Sequence, residues 1–122
     1  MTGWLTSDHA AFIAAEVVEA GGGYELVIDT GFSGFLYIPE DTIATWGLSF
    51  VSSVPMVLAD QSIVIVDVYE ATIIWFGVSQ RVSVLAGPIG CDSLLGMELL
   101  EGCRIELDGV HAEVRLHKLY HP

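Results

Sequence analysis

One short run in this sequence stands apart for the chemistry it could do: Leu26-Val27-Ile28-Asp29-Thr30-Gly31-Phe32-Ser33-Gly34. An apolar strand delivers a carboxylate, then a hydroxyl, then a glycine. The apolar run before Asp29 brings its carboxylate out of a strand end into low dielectric, where a carboxyl group can serve as general acid or base. Asp-Thr-Gly alone is also an ordinary way for a strand to end in a turn. Further features follow it in order. A long hairpin turns at Ala59-Asp60-Gln61-Ser62. Then Asp92-Ser93-Leu94-Leu95-Gly96-Met97-Glu98-Leu99-Leu100 sets apolar residues and a glycine ahead of a short helix.

Other candidate residues carry less. His111, His117 and His121 lie near the C-terminus with Glu113 and Cys103 not far off. A metal site needs convergent ligands at defined spacing, and Lys118-Leu119-Tyr120 gives no helical signal that would bring His117 and His121 together. This region reads as a surface tail, and no metal is expected. Cys91 as a nucleophile would need a base and an orienter, and nothing local supplies them. Gly21-Gly22-Gly23 has no following Lys-Ser or Lys-Thr, so it is a turn and not a phosphate loop. Trp4, Trp46 and Trp75 with Phe76 are expected in the core or an interface. No cofactor is called for.

The elements that must position Asp29 are mostly strands. Ser62-Ile63-Val64-Ile65-Val66-Asp67-Val68-Tyr69 and Ala71-Thr72-Ile73-Ile74-Trp75-Phe76 are rich in β-branched and aromatic residues. Arg81-Val82-Ser83-Val84-Leu85 alternates polar and apolar, as do Arg104-Ile105-Glu106-Leu107-Asp108 and Ala112-Glu113-Val114-Arg115-Leu116 around an Asp108-Gly109 turn. Residues 39–47 read as a helix, with Pro39 at its start, Glu40 and Asp41 in the first turn and Gly47 past the end. A second short helix is expected over residues 95–102, ending at Gly102. The alanines of residues 9–20 favour helix by propensity. The Gly21-Gly22-Gly23 turn before Tyr24-Glu25-Leu26-Val27-Ile28 instead predicts a hairpin, with strand from about Ile13. The pattern is all-β, in a compact barrel or sandwich.

Composition bounds the possibilities. A chain of 122 residues suits one domain spanning residues 1–122. Hydrophobic residues make up 52%, which excludes intrinsic disorder. No apolar run reaches the roughly 18–20 residues of a membrane span. Sixteen acidic residues against four basic ones give a net charge of −12. Such a chain repels phosphate backbones and anionic lipid, so neither a nucleic acid nor a membrane is an expected partner. The start, Met1-Thr2-Gly3-Trp4, has no basic leader region, and Cys91 and Cys103 are too few for a disulfide framework. A cytoplasmic protein with reduced thiols is expected.

With these residues in place, the sequence resembles the retropepsin-like aspartic proteases, most of all the small single-domain bacterial members of that clan. The resemblance runs from about Ile13 to Leu116. Asp29-Thr30-Gly31 matches the catalytic triplet. Val57-Leu58-Ala59-Asp60-Gln61-Ser62-Ile63-Val64 lies where the family has its flap, and Leu94-Leu95-Gly96 matches the motif before the C-terminal helix, here Met97 to Glu101. The resemblance implies a closed β-barrel with one or two short helices. It also implies a homodimer with one triplet from each chain on a two-fold axis, and hydrolysis of a peptide or protein substrate. Asp29, Thr30 and Gly31 would form the catalytic loop. Phe32, Leu95 and the flap residues Ala59, Asp60, Gln61 and Ser62 would hold substrate.

The need for two chains also follows from chemistry. One carboxyl must be ionised and the other protonated, and this chain is too short to hold two lobes. One Asp29 would act as base toward an attacking water while the Asp29 of a second copy protonates the peptide carbonyl, without covalent intermediate or metal. By resemblance, the Thr30 hydroxyl would bond across the dimer. Two features depart from the family pattern. Phe32 stands where retropepsins usually carry Ala and pepsins Ser, so it offers no hydroxyl and its bulk narrows the cleft. The flap tip has no glycine and should be stiffer. A non-catalytic homodimeric peptide-binding or regulatory module on the same barrel is the alternative reading, and an antitoxin-like or purely structural β-domain is a third.

Overall fold

The computed structural model describes residues 1–119, and His121 lies outside them. Strands β1 (Thr2–Leu5) and β2 (Ala11–Val17) lead through a 3-10 turn (Val18–Ala20) to β3 (Gly22–Ile28). Strand β4 (Leu36–Pro39) runs straight into α1 (Glu40–Trp46). A long arm follows, β5 (Ser49–Val57) with β6 (Ile63–Trp75), and then β7 (Val78–Gly87). The two-residue β8 (Leu94–Leu95) and α2 (Met97–Leu100) precede the last hairpin, β9 (Cys103–Asp108) with β10 (Glu113–Lys118).

The chain is therefore all-β with two short helices. Its strands share one sheet in the order β5-β6-β7-β4-β8-β3-β2-β1-β10-β9. The expected closed barrel is met only in part. An extra pairing of β2 with β6, through Glu16 with Ile74 and Val17 with Ile73, joins the middle strands, but β5 and β9 remain free edges. Both edges carry features that discourage further pairing. Pro55 in β5 has no N–H to donate, and β9 exposes Arg104 and Glu106.

Local choices follow from burial. In β2, Ile13, Ala15 and Val17 turn inward while Ala14 and Glu16 face out, so the alanine-rich segment is strand and not helix. It starts at Ala11, earlier than expected, because Phe12 and Ala11 pair with Trp4 and Leu5 of β1. The two segments read on either side of Glu70 form one continuous strand, β6. Glu70 faces outward there and meets Arg81 of β7 at 2.8 Å. Residue 95 is not helical as expected. Leu95 belongs to β8, Gly96 is extended, and the helix begins only at Met97. The core gathers Ile13, Leu26, Leu36, Ile38, Ile73, Val84 and Leu95, all fully buried. Trp75 joins it, whereas Trp4 is half-buried and stacks on Phe12, and Trp46 packs edge-on against Tyr24.

The C-terminal histidines have defined places. His117 lies within β10, and His111 lies in the β9–β10 turn, where its Nδ1 is 2.7 Å from Asp108 Oδ2. The His111 side chain and the backbone N–H groups of His111 and Val110 hold Asp108 below the usual carboxylate range. Asp108 in turn raises His111 above its usual value of 6.5. The Asp108 contribution is present above its unfolded value of 3.8 and is lost as pH falls through the lowered native value. The His111 contribution is complete below 6.5 and is lost as pH rises through the raised native value. The pair therefore helps most between these limits. Thermal melts of His111→Gln against the native chain should differ most between about pH 4 and pH 6.5, by a few degrees at most, because the pair is exposed. An equal difference at pH 9 would contradict this account.

Candidate functional site

Asp29 directly follows β3, and β3 is held in place by β8. That two-residue strand lies parallel to β3, pairing Leu94 with Val27 and Leu95 with Ile28, and antiparallel to β4, pairing Leu95 with Leu36. The Asp29 N–H donates to the Leu95 carbonyl at 3.0 Å, and the Val27 N–H to the Ser93 carbonyl at 2.8 Å. The loop then folds over this anchor. Phe32 N–H donates to the Asp29 carbonyl at 3.2 Å, while Gly31 N–H donates to Asp29 Oδ1 at 2.9 Å. The carbonyls of Phe32 and Gly34 accept the Met97 and Glu98 N–H groups at 2.8 and 3.2 Å, so the exposed donors of the first turn of α2 are used to hold the loop.

Two glycines make this close approach possible. A Cβ on Gly31 would stand 3.2 Å from Asp29 Oδ1. A Cβ on Gly96 would fall on the Gly34 carbonyl oxygen and within 2.6 Å of the Phe32 ring. Phe32 is 8% exposed, and its ring lies edge-on to Tyr37 at 6.0 Å between centroids. It therefore wedges under the loop as well as walling the cleft. Thr30 is exposed at the loop surface.

Beside the loop lies a cleft of about 520 Å³. Its floor is Asp29, Gly31, Phe32, Ser33 and Gly34, and its walls are Tyr37, Leu85, Leu94 and residues 54–57 of β5. Asp29 is the one carboxylate among these lining residues, and the walls are chiefly apolar. Burial, with Cys91 close by, pushes the Tyr37 phenol up from its usual value. Burial also raises both free thiols, Cys91 and Cys103, which weakens either as a nucleophile.

The structure thus brings Asp29, Gly31 and Phe32 together at one cleft. Leu95 is fully buried beneath it and contributes its carbonyl, not its side chain, while Leu94 lines the cleft. Strand alternation could have revealed that swap, since adjacent residues of a strand face opposite sides. The same alternation through Leu36-Tyr37-Ile38 turns Tyr37 outward from the core. Ala59, Asp60, Gln61 and Ser62 are exposed at the arm's tip and do not line the cleft, whose wall is the last four residues of β5, residues 54–57, just before the tip, so that of the flap segment only Val57 reaches it. The tip is braced by Leu58 N–H to the Ser62 carbonyl at 2.8 Å and by Ser62 N–H to Asp60 Oδ1 at 3.0 Å. Gln61 takes a φ of 66°, the left-handed region where glycine would be easier. Among the described residues, no three His, Cys, Asp or Glu side chains converge as a metal site would require, and no helix is long and apolar enough to cross a membrane. No known family model matches the chain, and no curated protein matches it.

Proposed function

We propose that this chain is a retropepsin-like aspartic protease, active as a homodimer that hydrolyses peptide bonds with one Asp29 from each copy. The observation that carries the reading is the placement of Asp29. Its backbone is tied to the Leu95 carbonyl, and it is the sole carboxylate lining a chiefly apolar cleft of about 520 Å³. One carboxylate per chain cannot act as acid and base at once, and a second copy supplies the other. A C2 pairing brings the same loop from both chains to one axis. The ring of middle strands joined by the β2–β6 pairing supports the retropepsin-like barrel as the finer description of the fold. The unpaired thiols suit a reducing compartment, so the cytoplasm is the proposed location.

Dilution tests the dimer and the activity together. Rate per chain on a quenched apolar peptide should fall steeply as the protein is diluted through its dimer dissociation constant, in step with mass measured by light scattering. A rate per chain that stays constant in a monomeric sample would remove the shared-site mechanism.

A further inference from the structure

The cleft has an unusual electrostatic setting. Residues 1–80 contain ten aspartates and glutamates and no lysine or arginine. The cleft is drawn almost wholly from that stretch, with only Leu85 and Leu94 added. The basic residues all come later, as Arg81, Arg104, Arg115 and Lys118. Each arginine is already matched by a carboxylate: Arg81 with Glu70 at 2.8 Å, Arg104 with Glu106 at 3.5 Å and Arg115 with Glu113 at 3.0 Å. Lys118 lines a different depression, beside Trp75 and Cys103. No lysine or arginine lines the cleft to offset Asp29, its one carboxylate. Asp67 stands next to the cleft wall, accepting the Ser53 hydroxyl at 2.9 Å, and a shallow pocket holding Glu98 and Glu101 shares Ser33 with the cleft.

We propose that the cleft takes extended peptides with an apolar centre flanked by lysine or arginine, and rejects peptides with acidic flanks. This deepens the peptide-cleft reading and rests on it. The apolar walls bury the peptide's centre, while flanks reaching beyond them meet the negative field of Asp67, Glu98 and Glu101, the carboxylates beside it. Residues 54–57 wall the cleft over about 13 Å at strand rise, so four or so extended residues fill it and the next ones lie in that field. A cleft lined by one sign of charge concentrates the opposite sign and speeds its capture. Acidic flanks meet repulsion that no arginine relieves.

The test separates recognition from cleavage. Labelled peptides with one apolar centre and Lys, Gln or Glu flanks, each with a non-hydrolysable hydroxyethylene link at the centre, are titrated by anisotropy against the full-length native chain. A fourth peptide keeps the Lys flanks around a Gly-Ser centre. Affinity should run Lys over Gln over Glu, with at least about tenfold between the extremes at low salt. The gap should close near 1 M salt, where the Debye length drops from about 30 Å at 0.01 M to about 3 Å. The Gly-Ser peptide should bind weakly at either salt concentration. Equal affinities, a reversed order, a gap insensitive to salt, strong binding of the Gly-Ser peptide, or no binding at all would each overturn the inference. The native chain is then given the same peptides with ordinary amide links. Binding without cleavage would end the protease reading and leave this one standing, and cleavage indifferent to the flanks would do the reverse.

Discussion

Asp29→Asn should abolish peptide hydrolysis, with kcat/KM falling by at least about a thousandfold, within the range that loss of a general acid–base group produces. In a homodimer the substitution removes both members of the acid–base pair at once, so no second carboxylate remains to take over. The fold should survive. The Asn side-chain oxygen can still accept the Gly31 N–H that Asp29 Oδ1 accepts at 2.9 Å, and the Leu95 carbonyl still receives the residue's own N–H. Circular dichroism and dimer mass should therefore match the native protein while the rate is lost. A variant that retains activity within tenfold of native would place the chemistry elsewhere.

Gly96→Ala should be the most damaging single methyl in the molecule's candidate site. The new Cβ would overlap the Gly34 carbonyl oxygen and stand 2.8 Å from the Phe32 carbonyl oxygen, and both are backbone atoms. A rotamer change in Phe32, whose ring would be 2.6 Å away, relieves only part of the clash. The Gly34 and Phe32 carbonyls are also the ones that hold Glu98 and Met97, so moving them loosens the loop that carries Asp29. Overpacking against backbone with loss of these bonds should cost about 3 kcal/mol or more. Gly109→Ala, where no atom lies within 4 Å of the added Cβ, is the control. Urea denaturation should show a large fall in midpoint for Gly96→Ala and little change for Gly109→Ala. Adding Phe32→Ala should not rescue the first, because the carbonyls remain. A Gly96→Ala chain within about 1 kcal/mol of native would mean that β8 and the Asp29 loop are not locked in this way.

Much of this site was legible in one dimension. Asp29 at a strand end, the arm turning at residues 59–62 and the glycine before α2 could each be read from residue types and spacing. They were legible because each is local: an apolar run, a turn and a helix start depend on neighbours in sequence. The alternation in β2 could be read too, once the glycine turn after it was weighed against the helix propensity of alanine. Acidity throughout residues 1–80 was also plain from the sequence, although its relation to a cleft was not.

What the sequence by itself determined was the all-β class, the first hairpin, the strands over residues 62–76 and 81–85, the last hairpin, and the place of Asp29 at the end of its strand. Tertiary structure alone decided the rest. Leu94 and Leu95 form a strand only because β3 and β4 leave a gap between them, and two residues have no intrinsic preference strong enough to announce it. Phe32 turns under the loop because Gly34 and Gly96 make room for its ring, and Gly96 is far from it in the chain. The cleft wall is the end of β5 and not the turn that follows it because of how far β5 runs alongside the loop before turning, a matter of sheet geometry. The sheet's free edges are of the same kind: closure depends on which distant strands meet, and local pattern holds no record of it.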